Sequence, residues 1–228
     1  MKIGFLQCGH IVPDIVARFG DYHRLYADLL ADHEFSFQTW LAVDGILPAR
    51  ADLADGWLIS GSRHGAYEDL DWIAPLEDFI RNAYAQGRPI VGICFGHQVL
   101  AQALGGTVEK SEKGWAVGAR TYEMHESDPI TINAWHQDQV VALPKDARVL
   151  GSSSFCPNAV VGYGDKALSY QGHPEFNAEF VDMLIEKRGR GVVPDILLDA
   201  AKASLHTPLS RAVVGAQIAE FFKTCRLP

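Results

Sequence analysis

The segment VGICFGHQ at residues 91–98 is typical of a buried β-strand that turns sharply into an α-helix. Gly92 and Gly96 lie on either side of Cys94, at the positions where the chain must bend tightly and the helix must approach the strand closely. Such a turn presents the thiol at the helix N-terminus, where backbone N–H groups and the helix dipole favour the thiolate. A lone cysteine is more often a small buried hydrophobe, but this glycine spacing favours a nucleophile.

A second segment, His173-Pro174-Glu175, provides a candidate base for that nucleophile. It follows the strand-like residues 167–171 and precedes a predicted helix start. An imidazole can take the thiol proton and return it to a leaving group, while a carboxylate holds the ring in one tautomer and stabilises the imidazolium. Taken alone, His173 reads as an ordinary surface or core histidine, so its assignment depends on the cysteine turn.

Strand-like and helical patterns alternate along the first half of the chain. This alternation predicts an α/β fold with an open, mostly parallel central sheet flanked by helices. Strands are predicted at residues 2–7, 35–40, 56–60 and 89–93, and helices at residues 13–30, 72–86 and 97–104. Short strands between residues 107 and 171 predict antiparallel extensions of the sheet, and the residues from 177 onward have helical patterns. No repeat or linker divides the chain, so we expect one domain over residues 1–228.

Composition argues against several classes of function. The net charge of -8 argues against electrostatic binding to nucleic acid or to an anionic membrane, and no run of apolar residues is long enough for a membrane span. The histidines lack metal-ligand spacing and the chain has no phosphate-binding glycine loop, so we expect no metal and no cofactor. The basic residues Lys187, Arg188 and Arg190 are interpreted as the solvated end of a helix.

Cysteine usage indicates a reducing compartment. The four cysteines, at positions 8, 94, 156 and 225, are far apart and form no Cys-x-x-Cys pair. The first residues enter a strand directly, without the pattern of a secretory signal. We therefore expect a cytoplasmic protein in which Cys94 remains a free thiol.

Together, the two catalytic segments resemble the class I glutamine amidotransferase family, and in particular a standalone domain similar to that of GMP synthases. The family pattern is a Gly-x-Cys-x-Gly-x-Gln turn followed later in the chain by His-Pro-Glu, and both parts are present here in that order. The resemblance covers about residues 1–176. It implies a flavodoxin-like fold with Cys94 as nucleophile, His173 as base and Glu175 as the carboxylate that orients it.

The resemblance also implies roles for residues around this triad. The backbone N–H groups of Gly61 and Phe95 would form an oxyanion hole, and Gln98 would hold the α-amino and carboxylate end of the substrate. Trp135 and His136 belong to a segment similar to the family's Ser-His-x-Asp loop beside the glutamine pocket. Tryptophan replaces serine at the first position of that loop, so we expect a different shape and polarity in that wall of the pocket.

These assignments imply hydrolysis of the glutamine side-chain amide through a cysteinyl thioester, which releases glutamate and ammonia for an acceptor. Family members usually pass ammonia to a fused or separate synthetase, so a synthetase subunit is an expected partner. A standalone γ-glutamyl hydrolase or peptidase is an open alternative, because the same chemistry cleaves other γ-glutamyl bonds. A binding or regulatory module without catalysis, and a protein of another family with a similar cysteine turn, are further alternatives.

Overall fold

The computed structural model describes residues 1–228, and a single large sheet runs through the molecule. The strands are β1 (Lys2–Leu6), β2 (Ser36–Trp40), β3 (Gly56–Ile59), β4 (Ile90–Ile93), β5 (Thr107–Lys110), β6 (Ala116–Met124), β7 (Ile130–His136), β8 (Asp138–Ala142), β9 (Ala147–Ser152), β10 (Val160–Tyr163) and β11 (Ala167–Tyr170). The helices are α1 (Pro13–Phe19), α2 (Tyr22–Leu29), α3 (Ile73–Ala85), α4 (Phe95–Ala103), α5 (Ala178–Leu184), α6 (Asp195–Ala203) and α7 (Arg211–Thr224). A π-helical turn, Ile185–Gly189, extends α5.

The main sheet has nine strands in the order β2-β1-β3-β4-β11-β10-β9-β6-β7. The first five are parallel, and the strands from β10 onward add to β11 as an antiparallel extension. β5 and β8 form a separate antiparallel pair. The predicted α/β fold, with a parallel central sheet and antiparallel extensions, is confirmed.

Apolar side chains cover both faces of the parallel strands. In β3, Trp57 and Ile59 belong to the core on one face, together with α3 and α4, while Leu58 belongs to the core on the other face. The alternation follows from the two-residue period of a strand, and burial on both faces explains why β3 and β4 read as continuous apolar runs. The last helix, α7, packs on the second face through Phe221 and Phe222.

The single helix predicted over residues 13–30 is wrong, because the chain breaks it into α1 and α2. Gly20 has φ of 76°, which ends α1, and the side chain of Asp21 then caps α2 by accepting from the Tyr22 N–H at 2.8 Å. The helix predicted from residue 97 begins instead at Phe95, directly after Cys94. The break at Gly20 turns α2 so that Tyr22 reaches the cavity described below.

Candidate active site

The turn after β4 gives Cys94 a strained backbone, with φ of 56° and ψ of -104°. A positive φ is uncommon for a residue with a side chain and persists where the surrounding structure enforces it. A Cβ on Gly92 would overlap the carbonyl oxygen of Gly96, and a Cβ on Gly96 would overlap the carbonyl oxygen of Ile59 in β3. The two glycines therefore allow β4 and α4 to approach closely, and Cys94 lies at the junction, 5% exposed.

His173 and Glu175 form a buried pair. The Nδ1 atom of His173 lies 2.7 Å from Oε1 of Glu175, and the two side chains are 3% and 0% exposed. A carboxylate only accepts hydrogen bonds, so Nδ1 carries a proton and Nε2 is left for proton exchange with a nucleophile. The same carboxylate oxygen accepts a hydrogen bond from the hydroxyl of Tyr26 in α2 at 2.9 Å.

Neighbouring elements fix the orientation of the His173 segment. Its N–H donates to the carbonyl oxygen of Asn133 in β7 at 2.7 Å, and its ring stacks on Phe176 with centroids 4.0 Å apart. The guanidinium of Arg211, the first residue of α7, donates to the carbonyl oxygens of the two residues that follow His173, at 2.8 and 3.2 Å. The sequence assigned no chemistry to the C-terminal helices, yet α7 holds the backbone of this segment.

Gly61 lies where the side chains of Cys94 and His173 approach each other. A Cβ on this glycine would lie 3.0 Å from Cε1 of His173 and 3.7 Å from Cβ of Cys94, so both side chains meet at Gly61. The N–H of Gly61 makes no hydrogen bond within the protein. Phe95 is the first residue of α4, and its N–H has no partner within that helix. Two backbone donors without intramolecular partners are what an oxyanion site requires.

The charges around His173 favour the protonated form of its ring. Burial alone would lower the pKa of His173, but the adjacent Cys94 and Glu175 side chains raise that pKa to about 10. The imidazolium is therefore the stable form of His173 at neutral pH when Cys94 is ionised. His136 behaves in the opposite way, because burial lowers its pKa to about 3 and keeps its ring neutral.

A cavity of about 340 Å³ opens above Cys94 and His173. The side chains that line it are mainly polar, cationic and aromatic: His10, Tyr22, Arg63, His64, Tyr67, Glu68, Gln98, Lys110, Trp115, Trp135, His136, Asp138 and Arg188. Gln98 is held in place because its Nε2 donates to the carbonyl oxygen of Asp138 at 2.9 Å. All three residues predicted to bind substrate, Gln98, Trp135 and His136, thus line the same cavity as Cys94.

The interpretation of Lys187, Arg188 and Arg190 as the solvated end of a helix is confirmed, because all three residues are exposed at the end of the helical segment. Lys187 pairs with Asp14, as expected for a surface residue, and Arg188 also lines the cavity. It lies in the π-helical turn, which has more residues per turn than an α-helix and so changes the direction of the side chains within it. No sequence pattern marks such a turn.

Several other cavity residues, among them Tyr22, Lys110 and Trp115, were not identified from the sequence. These three come from α2, β5 and the residue before β6, and none of them belongs to a motif. They line the same cavity as Cys94 because the fold brings distant parts of the chain together. The chain has no group of three or more side chains placed to hold a metal ion, and none of its helices is long and apolar enough to cross a membrane.

The fold and this turn define an α/β protein with a cysteine at a nucleophile elbow, beside a buried histidine–carboxylate pair. A family model described as "Glutamine amidotransferase class-I" matches residues 43–188. Gamma-glutamyl peptidase 4 of Arabidopsis thaliana is 35% identical over 74% of this chain and 73% of its own length. The chain belongs to the class I glutamine amidotransferase family.

Two further similarities describe the extent of this relationship. The GMP synthase [glutamine-hydrolyzing] of Aromatoleum aromaticum is 31% identical over 76% of this chain, but the match covers only 34% of that protein. A solved glutamine amido transferase from Methylobacillus flagellatus has a TM-score of 0.76 and covers 99% of this chain and 92% of its own, at 23% identity. That structural likeness shows a common fold.

Proposed function

We propose that this protein hydrolyses the side-chain amide of glutamine through a thioester on Cys94. The observation that supports this proposal is the geometry at the elbow, where a cysteine with φ of 56° lies beside a buried His173–Glu175 pair joined at 2.7 Å. Class I membership and the match to a GMP synthase named for glutamine hydrolysis agree with it.

In the first half of the reaction, the sulfur of Cys94 attacks the amide carbon and the carbonyl oxygen becomes an oxyanion. The N–H groups of Gly61 and Phe95 donate to that oxygen. The carbon–nitrogen bond then breaks, and Nε2 of His173 protonates the departing nitrogen, which leaves as ammonia. Glu175 keeps the proton on Nδ1 throughout and stabilises the imidazolium.

In the second half, His173 takes a proton from water, and the resulting hydroxide attacks the thioester carbon. The carbon–sulfur bond breaks, glutamate leaves, and Cys94 is regenerated. The glutamyl end would be held by Gln98, whose Nε2 is occupied by the carbonyl oxygen of Asp138, so that its Oε1 accepts from the α-ammonium. Trp135 and neutral His136 would form the opposite wall, with main-chain groups of their loop as partners for the α-carboxylate.

The experiment for this proposal measures glutamate released from glutamine by the purified protein. Cys94→Ala should abolish release because no thioester can form, while the fold is retained. Cys156→Ala is the matched control, since this cysteine is also buried but lies outside the cavity lining, and its loss should leave turnover unchanged. Mass spectrometry of the quenched reaction should detect the glutamyl adduct on Cys94 in the wild type. Unchanged release by the Cys94→Ala variant would refute the scheme.

A second candidate substrate is a γ-glutamyl peptide, in which an amino acid replaces ammonia as the leaving group. The cavity rim favours it: Arg63, Lys110 and Arg188 all line the cavity and none of them forms an ion pair within the protein. In a chain of net charge -8, such cations would attract an anionic substrate. The similarity to a protein named gamma-glutamyl peptidase supports the same candidate.

A γ-glutamyl dipeptide and its C-terminal amide distinguish the two substrates. If the dipeptide is the substrate, kcat/KM should exceed that for glutamine and fall on amidation, because the carboxylate charge is lost. Arg188→Gln should reduce this preference, whereas Lys187→Gln, the adjacent surface residue paired with Asp14, should not. Equal activity on all three compounds would refute a role for these cations.

We further propose a single domain over residues 1–228 in the cytoplasm, where the four unpaired cysteines would remain reduced. If glutamine is the substrate, the proposed acceptor of the ammonia is a synthetase subunit, in agreement with the similarity to a GMP synthase named for glutamine hydrolysis. Copurification from native extract tests this partner, and a glutamine-dependent increase in amination by the recovered complex is the expected result.

A further inference from the structure

The hydroxyl group of Tyr22 lies beside the reacting centre and has no hydrogen-bond partner in the protein. The hydroxyl lies 3.7 Å from the point where a Cβ of Gly61 would be, the same point that is 3.0 Å from Cε1 of His173 and 3.7 Å from Cβ of Cys94. The side chain is half-buried and lines the cavity, and its hydroxyl makes no hydrogen bond with any protein group. By contrast, the hydroxyl of Tyr26, one turn further along α2, is occupied by Glu175.

The position of Tyr22 is fixed by its neighbours rather than by its hydroxyl. Asp21, the residue before it, accepts hydrogen bonds from the N–H of Tyr22 at 2.8 Å, from Nε2 of Gln7 at 2.8 Å and from the N–H of Ile11 at 3.1 Å. The loop after β1 and the start of α2 are therefore tied together. A donor that is already oriented loses little entropy when the reaction reaches its transition state.

The hydroxyl of Tyr22 remains protonated in the working range of the enzyme. Burial raises its pKa above the ordinary value, and the negative charges of Glu175 and Cys94 raise it further. A neutral phenol beside Cys94 and Glu175 can donate a hydrogen bond, and it does not compete with His173 as a base.

We propose that Tyr22 is a third donor to the oxyanion formed during hydrolysis, in addition to the N–H groups of Gly61 and Phe95. This inference rests on the proposed function, because it assigns a role within that reaction. Its chemistry adds no step: the sulfur–carbon bond forms, the carbonyl oxygen gains the electron pair, and the phenol donates a hydrogen bond without transferring its proton. The location beside Gly61, whose own N–H is unpartnered, is the reason for assigning it to the oxyanion.

Tyr22→Phe tests this role because it removes the hydroxyl alone. We expect kcat to fall by about 100-fold with little change in KM, the effect typical of losing one oxyanion donor. Tyr84→Phe is the control for the loss of a tyrosine hydroxyl, since that group donates to the carbonyl oxygen of Tyr163 and does not line the cavity. The thermal midpoint should be the same for the wild type and Tyr22→Phe, since the removed hydroxyl has no partner in the protein.

Alkylation of Cys94 by iodoacetamide provides a second readout. Displacement of iodide by the thiolate passes through no oxyanion. Iodoacetamide should therefore alkylate Cys94 of the Tyr22→Phe variant at the wild-type rate, while acylation of Cys94 by the substrate is slow. Equal losses in alkylation and turnover would mean that Tyr22 acts on the Cys94–His173 pair, and would overturn the proposal. A rise in KM alone, or unchanged kinetics, would overturn it as well.

The substrate panel keeps this test distinct from the test of the proposed function. Glutamine, a γ-glutamyl dipeptide and a γ-glutamyl anilide are each assayed with the wild type first. Turnover of any one that depends on Cys94 supports the proposed function, and the Tyr22→Phe result then decides the role of the phenol. If the wild type alkylates normally but hydrolyses none of them, the proposed function fails and the assignment of Tyr22 is refuted with it.

Discussion

Glu175→Gln removes the negative charge beside His173 and retains the shape of the side chain at position 175. In the wild type, burial lowers the pKa of His173, but Cys94 and Glu175 outweigh this effect and raise the pKa from the ordinary value of 6.5 to about 10. This difference corresponds to roughly 5 kcal/mol in favour of the imidazolium. Glu175→Gln removes one of the charges that hold the proton on His173, so kcat should fall by at least about tenfold, which corresponds to about 1.4 kcal/mol in the barrier.

A pH–rate profile measures this effect directly. In the wild type, activity should decline as pH approaches about 10, because His173 then loses the proton that it gives to the leaving nitrogen. In Glu175→Gln this alkaline limb should move to lower pH, since the carboxylate no longer stabilises the imidazolium. Glu179→Gln is the control, because this exposed residue of α5 pairs with Arg18 on the surface.

The amide of glutamine can still accept from Nδ1, so the variant should fold. Circular dichroism and thermal unfolding establish this before the kinetics are compared. A folded Glu175→Gln protein with wild-type kcat and an unmoved alkaline limb would refute the coupling between the carboxylate and His173. A lower kcat with an unmoved limb would mean that Glu175 orients the ring without affecting its charge.

Three further predictions concern stability and support of the site. The raised pKa of His173 should stabilise the fold fully below pH 6.5, and this contribution should be lost as pH rises towards about 10, as measured by urea unfolding at several pH values. Gly96→Ala should destabilise the protein by about 3 kcal/mol in denaturant titration, because the new methyl group would overlap the carbonyl oxygen of Ile59; an unchanged midpoint would contradict this close approach. Arg211→Gln should lower kcat about tenfold and KM little, since the carbonyl oxygens after His173 lose charged donors; equal kcat would show that α7 does not position the segment.

Local sequence patterns were sufficient for the elbow. Gly92 and Gly96 each lie two residues from Cys94 in the chain. They satisfy a steric requirement that is the same in any strand–turn–helix unit of this kind. The alternation of strands and helices is also a pattern of neighbouring residues, and it predicted the α/β fold. The break between α1 and α2 was missed because residues 13–30 have a fairly continuous apolar stripe, while Gly20 and Asp21 ended one helix and capped the next.

Long-range contacts were beyond the reach of these patterns. Tyr26 bonds to Glu175 across 149 positions of the chain, and Arg211 reaches the same segment from the last helix. Neither contact leaves a periodicity or spacing that could be read from the chain. Arg188 is exposed, as predicted, but only the tertiary structure shows that it also lines the cavity.

The sequence by itself determined the fold class of this protein and predicted a cysteine nucleophile, because a strand–turn–helix unit and the two-residue period of buried strands depend on neighbouring residues. Only the tertiary structure decided which groups surround that chemistry. The order of the strands brings Gly61, Tyr22 and His173 to the same edge of the sheet as Cys94, from positions far apart in the chain. This proximity depends on how the sheet and the helices pack together, and it cannot be read from the sequence of any one segment.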